Sequence, residues 1–231
     1  MRSSTLQPWD PFVRQRDILT PDDLRGLDVD IAGGGSLGGA ILLCLCKMGF
    51  GIHNRITVTD FDRCENHNLA TQWFRRSHVL LGQAKVEALA EMAAWICDVE
   101  ISTVQARFSG DEDRRLGPVV VLAVDSLDER RQIWQRLKLR EDVQMLLDVR
   151  MGAEVLEIHA LDRSADDKTP YESSLDADLQ PYEEPCTRRA VLYTALGAAA
   201  FAGSILRAYA RGEPFPRRLA FDFRNFFISN A

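Results

Sequence analysis

Four stretches of the chain carry residue types suited to handling phosphates. Gly33-Gly34-Gly35-Ser36-Leu37-Gly38 follows a short apolar run, Asp28 to Ala32, and opens a longer one, Leu37 to Met48. Glycines at the first, third and sixth positions allow a tight turn. They also let backbone N–H groups approach a phosphate that meets a helix N-terminus. Alone the pattern is weak, because a structural glycine turn looks the same. Asp60 ends the next run, Arg55 to Thr59, within Asp60-Phe61-Asp62. A carboxylate there can accept hydrogen bonds from a ribose, or it can simply form a turn. Asn66-His67-Asn68-Leu69-Ala70-Thr71-Gln72 and Gly82-Gln83-Ala84-Lys85 complete the set. Amides and a lysine can hold phosphates while charge develops on them. A nicotinamide oxidoreductase would leave that polar stretch and Lys85 unexplained. Only four of the 28 basic residues are lysines, so the position of Lys85 carries weight against the alternative of a solvated surface side chain.

Two further positions could do chemistry. Asp125 follows the continuous apolar run Val119 to Val124, where an open α/β sheet places its ligands. A helix N-cap is the alternative for it, and Asp128 competes for the same role. Cys186 stands in Glu183-Glu184-Pro185-Cys186-Thr187-Arg188-Arg189. A helix N-terminus and adjacent arginines favour a thiolate, so Cys186 reads as a nucleophile or as a structural cysteine. Cys44 and Cys46 lie on an apolar helix and read as core. Cys97 reads as packing, and Cys64 as an exposed residue of the polar loop. No CxxC occurs, so no zinc site of that kind is expected. His53, His67, His78 and His159 show no ligand spacing.

These residues need a scaffold, and the hydrophobic pattern supplies one. Strands are expected at 28–32, 55–59, 99–105, 119–124 and 143–149, with helices at 37–48, 83–96 and 127–139 between them. Residues 61–81 read as a long loop. Alternation of this kind implies right-handed βαβ units and a mainly parallel sheet. A strand of different character follows at 154–161, then an acidic, proline-containing stretch, a small-residue helix at about 187–211 and a closing strand at 219–228. The expected fold is α/β: a doubly wound, mainly parallel Rossmann-like sheet with a C-terminal helix and mixed strands. Its divisions are an N-terminal arm with a short helix (1–27), a nucleotide-binding core (28–161), a flexible crossover loop (162–185), and a helix and strand completing the same domain (186–231). Thr20 and Pro21 mark the start of the short helix.

Bulk properties agree. The chain has 231 residues, 46% hydrophobic and 27% charged, with a formal net charge of −6. That composition excludes disorder over the whole length and argues against a nucleic-acid partner. Ala190 to Leu206 carries no charge, but its length is at the lower limit for a bilayer helix, so no membrane association is expected. No signal peptide is visible, and a cytoplasmic location is expected.

Residues 29–90 resemble the adenylation domain of ubiquitin-activating enzymes and their bacterial relatives of ThiF/HesA/MoeB type. The family pattern is a glycine loop after a strand, then D-F-D, N-L-x-R-Q and G-x-x-K, at the spacing found here. The resemblance implies an ATP-dependent activating enzyme that adenylates the C-terminal carboxylate of a ubiquitin-like protein, with ATP and magnesium and without zinc. It implies that Gly33, Gly34, Gly35, Ser36, Gly38, Asp60, Asp62, Asn68, Gln72 and Lys85 bind the nucleotide. Asp125, with Arg130 five residues on, would hold magnesium. Arg16, in Arg16-Asp17-Ile18, would serve the neighbouring protomer's triphosphate, with Arg14 as runner-up and a plain surface arginine as the alternative. A homodimer or heterodimer is therefore implied. Cys186 as nucleophile would form a thioester and pass the acyl group to a conjugating enzyme. Thr71 departs from the pattern, since the family has arginine there. Either Arg75 or Arg76 substitutes, or the nucleotide is held more weakly. The alternatives are an enzyme adenylating a peptide or small carboxylic acid, and a degenerate subunit of a heterodimer.

Overall fold

The computed structural model describes residues 11–163, 169–176 and 190–230. Strands β1 (Val29–Ala32), β2 (Ile56–Thr59) and β4 (Val119–Leu122) are buried at every position. Continuous apolar runs of this kind belong to the centre of a parallel sheet covered on both faces. Helix α1 (Ser36–Met48) leaves β1 through the glycine loop and stops at Gly49, whose φ of +105° gives a left-handed cap. Helices α2 (Arg76–Leu80) and α3 (Lys85–Cys97) follow β2, and β3 (Ser102–Val104) follows α3. Helix α4 (Leu127–Leu137) leads to β5 (Met145–Gly152). The chain then turns back as β6 (Val155–Asp162) and continues through α5 (Thr169–Ser174), α6 (Leu192–Ala210), β7 (Arg218–Asp222) and β8 (Phe227–Asn230).

Among the described residues, eight strands form one sheet in the order β3-β2-β1-β4-β5-β6-β7-β8. Pairing is parallel from β3 to β5 and antiparallel from β5 to β8. Alternate strand residues feed two cores. Val29, Ile31, Val58, Val121 and Leu147 pack with α1, α3 and α6 on one face. Ala32, Val120, Leu122 and Leu146 pack with Ile133, Trp134 and Leu137 of α4 and with Tyr171 and Leu175 on the other. The uncharged segment from 190 is the buried helix α6, lined inward by Ala195, Ala198, Ala199 and Ala202. A Cβ on Gly203 would stand 2.7 Å from Met48 Sδ, so glycine there permits the close approach of α6 to α1. Among the described residues, no helix is long and apolar enough to cross a membrane.

The second core contains charge. Asp148 of β5 is fully buried and receives Arg130, Arg150 Nε at 2.9 Å and the Tyr171 hydroxyl at 3.1 Å. Removing one partner of such a cluster strands a buried charge, which costs about 3–5 kcal/mol.

Three expectations change. The loop at 61–81 contains a 3-10 turn, Asn66–Asn68, and α2. The acidic stretch after 162 contains α5, which carries Tyr171 onto Asp148. Its periodicity is too short to show in sequence. The closing strand is a hairpin of two strands, because Phe226 takes a φ of +51° and reverses the chain. Elsewhere the boundaries move by a few residues. The short helix at Pro21–Leu24 is a 3-10 turn with a capping box between Thr20 and Asp23.

Glu157 of β6 tests how the antiparallel half is held. Burial would raise its pKa, but His159 at 3.1 Å, Arg218 at 2.6 Å and Arg150 outweigh it and hold the carboxyl at about 2. A carboxyl depressed in the fold stabilises it above the unfolded value of ~4.3, and the contribution is lost as pH falls through the folded value. The stability gap between wild type and Glu157→Gln in urea is therefore expected to be widest at about pH 6 and to close towards about pH 2. A gap independent of pH would show that the charge is not its source.

Candidate functional site

The carboxyl ends of β1, β2 and β4 open on a cavity of about 460 Å³. Gly33, at φ +97°, turns the chain out of β1, where a Cβ would meet the Ala123 carbonyl oxygen at 2.7 Å. A Cβ on Gly38 would lie 1.9 Å from the Gly33 carbonyl oxygen, so glycine is needed for α1 to start against the loop. Gly35 caps α1 without a side-chain bond, and a Cβ there would meet nothing within 4 Å among the described residues. Gly35, Ser36 and Leu37 line the cavity, which thus receives the positive end of a 13-residue helix.

Asp60 connects two loops. Its Oδ2 accepts the Gly34 N–H at 2.6 Å and its Oδ1 accepts the Asp62 N–H at 2.7 Å. Each carboxylate oxygen has capacity for a further hydrogen bond, and Asp60 lines the cavity. Lys85 is largely buried, and its Nζ lies 2.7 Å from Asp62 Oδ2. The polar stretch is pinned too: Ser36 Oγ donates to the Thr71 carbonyl at 2.6 Å, and Asn68 Oδ1 accepts the Glu65 N–H at 2.8 Å. Gln72 Oε1 lies buried on the lining and has no hydrogen-bond partner among the described residues.

Asp125 lines the cavity, whereas Asp128 pairs with Arg131 at 2.8 Å and is mostly exposed. The N-cap of α4 is Ser126, whose Oγ accepts the Glu129 N–H at 3.3 Å, which leaves Asp125 free of that role. Arg130 lines the cavity and is held by Asp148 and by the carbonyls of Val124 and Val149.

The structure brings Gly33, Gly35, Ser36, Asp60, Asp62, Asn68, Gln72, Lys85 and Asp125 onto one lining. Gly34 and Gly38 lie behind it, one serving Asp60 and the other packing α1. Neither Arg75 nor Arg76 reaches the lining in place of Thr71. Arg75 Nη2 lies 3.4 Å from Glu91, and its guanidinium lies over the Trp95 ring. Arg16 is also outside the lining, and Cys186 lies outside the described residues. Cys64 is buried rather than exposed, and burial pushes its thiol up to about 11. Sequence reasoning missed Phe61, Ala106, Phe108, Glu129, Met151 and Ala190 on the lining. Ala106 and Phe108 follow β3, and the same strand-end rule that marks Asp60 could have found them.

Carboxylate oxygens and the N–H groups at the start of α1 suit a magnesium–nucleotide ligand. Magnesium is commonly held by one or two carboxylates together with phosphate oxygens, which Asp125 fits. Among the described residues no group of three or more His, Cys, Asp or Glu side chains could hold a metal without such help.

Residues 14–143 match the ThiF family. No curated protein sequence matches the chain at significance. Solved structures match over most of it. E. coli MccB with MccA-N7isoAsn has a TM-score of 0.73 and 16% identity, over 96% of this chain and 72% of that one. E. coli MccB with ATP has a TM-score of 0.68 and 16% identity, over 91% and 65%. PaaA has a TM-score of 0.67 and 16% identity, over 91% and 74%. Likeness at these identities shows a common fold.

Two glycines separate scaffold from ligand. Gly38→Ala is expected to lower unfolding stability by about 3 kcal/mol through overpacking against backbone. Gly35→Ala is expected to stay within about 0.5 kcal/mol of wild type and to weaken phosphate-ligand binding, since the methyl enters open space on the lining. Chemical denaturation and calorimetric titration with ATP measure the two effects. Equal destabilisation by both variants would contradict the assignment.

Proposed function

The chain belongs to the ThiF family, and from that premise we propose that it uses ATP to adenylate a carboxylate of a peptide or protein. The observation that carries this reading is the convergence of the α1 N-terminus, Asp60, Lys85 and Asp125 on one cavity. A carboxylate attacks the α-phosphorus, forming an acyl-adenylate and releasing pyrophosphate. The reaction needs alignment and charge stabilisation more than covalent help. Amide N–H groups of Gly35, Ser36 and Leu37 would face the phosphates. Lys85 would join them, held in reach by Asp62. The remaining lone pairs of Asp60 would accept a ribose hydroxyl, and Asn68 and Gln72 would fix the phosphate side. Magnesium bound at Asp125 would offset charge on the phosphate oxygens.

The finer reading takes the acyl donor as the C-terminal carboxylate of a ubiquitin-like protein, which the motif order from Gly33 to Lys85 supports. Cys186 would then accept the acyl group as a thioester, with AMP as the leaving group, and pass it to a conjugating enzyme. Ala190, four residues further on, lines the cavity. In a homodimer or heterodimer, Arg16 would be offered to the neighbouring subunit's site. A peptide or small acid as substrate is favoured by the likeness to MccB, which has been crystallised with ATP and with N-formylated MccA. A degenerate subunit of a heterodimer is favoured by Thr71 together with the engagement of Arg75 by Glu91.

ATP–pyrophosphate exchange with candidate carboxylate partners tests the proposal. Asp125→Ala and Lys85→Met are each expected to lower exchange by about a hundredfold or more. Cys186→Ala is expected to leave exchange intact and to abolish a reducible adduct on a non-reducing gel. Exchange without any adduct would confine the activity to adenylation. ATP binding without exchange with any partner would overturn adenylation in favour of the degenerate subunit.

A further inference from the structure

The cavity has a phosphate end and another end that the proposed chemistry leaves without an assignment. Gly35 and Ser36 form the first. Asp60, at the ribose position, stands next to it, and beyond Asp60 the lining turns apolar, with Phe61, Ala106 and Phe108. Phe108 is buried, and Phe61 is 47% exposed at the rim. Arg107 lies between Ala106 and Phe108 in the chain, yet its own side chain is outside the lining. It runs across the rim instead. Its guanidinium carbon sits 4.1 Å from the centroid of the Phe61 ring, and Nη1 lies 2.8 Å from Glu129 Oε1.

One side chain thus joins three segments that the sheet alone leaves separate: the residues after β2, the residues after β3, and the first turn of α4. The ordinary expectation for an exposed arginine is a solvated, mobile side chain, because holding it in one geometry costs rotamer entropy. Here it holds two contacts at once, and both partners belong to the cavity wall. Covering one face of the Phe61 ring fixes that ring as a flat wall. Pairing with Glu129 does a second thing. It anchors the guanidinium in place over the ring, with Nη1 at 2.8 Å from Glu129 Oε1.

Resting on the adenylation reading above, we infer that Arg107 is a positioning residue for the nucleobase. It shapes the apolar end of the cavity through Phe61 and Glu129, and makes no contact with the phosphates. A planar base would sit at the end that Phe61, Ala106 and Phe108 line, while the phosphate end is built by α1 and Lys85 and does not depend on Arg107. The inference therefore separates ligands with a base from ligands without one.

Calorimetric titration with ATP, AMP and inorganic triphosphate, each with magnesium, tests it. A cation–π contact at the surface and a partly exposed ion pair each contribute modestly. Arg107→Ala is accordingly expected to raise Kd for ATP and AMP about three- to tenfold and to leave inorganic triphosphate within about twofold. In exchange assays KM for ATP is expected to rise by the same factor with kcat unchanged. Arg107→Lys, which keeps the cation between ring and carboxylate, is expected to restore most of the loss. The double variant Arg107→Ala/Glu129→Gln, which removes the freed carboxylate, is expected to stay as weak as Arg107→Ala. Recovery in the double variant, equal weakening towards inorganic triphosphate, or unchanged ATP and AMP affinity would each overturn the role of Arg107 while leaving adenylation intact. A wild-type protein that binds neither ATP nor AMP would overturn the adenylation reading and this inference together.

Discussion

The carboxylate of Asp60 is the joint on which the site is built. Its two oxygens take N–H groups from two different loops, Gly34 of the glycine turn and Asp62 of the next. Its own N–H donates to the Val104 carbonyl at 3.1 Å, which ties the end of β2 to β3. Three strand ends are thereby held in one arrangement by a single residue, and most of its surface is removed from water. A buried carboxylate is costly unless its lone pairs are used. Here the backbone supplies the donors, and the ordering of the two loops follows from satisfying that charge.

A second carboxylate does similar work under the sheet. Asp148 gathers Arg130, Arg150 and Tyr171, which come from α4, β5 and α5. Arg130 also lines the cavity, so the wall beside Asp125 is anchored to the second core. The site is thus stiffened from both sides: through backbone donors at Asp60 and through side-chain donors at Asp148. Part of the charge on the cavity wall is paired, Lys85 with Asp62 and Glu129 with Arg107.

Among the described residues, neither Arg75 nor Arg76 replaces on the lining the arginine that the family pattern has at Thr71. Arg75 is drawn away by Glu91 and Trp95. The Thr71 backbone is still used, since its carbonyl accepts Ser36 Oγ. The segment therefore keeps its structural duty, holding the polar stretch against the glycine loop, whatever its side chain contributes to a ligand.

The sequence by itself determined the parallel half of the sheet and the order of the residues around the cavity. Central strands covered on both faces must be continuously apolar, and their ends carry the polar residues, so β1, β2, β4, Asp60 and Asp125 were legible from pattern alone. Tertiary structure decided the rest. Helix α5 is six residues long and gains its place through tertiary contacts: Tyr171 with Asp148 and Trp134, Glu172 with Trp134 Nε1, and Ser174 with Arg150. The hairpin of β7 and β8 depends on a positive φ at Phe226, a residue type that gives no turn signal. The burial of Cys64 and the reach of Arg107 to Phe61 and Glu129 join segments far apart in the chain. Local pattern reports which face of an element is apolar; which distant side chain meets it is settled only when the elements pack.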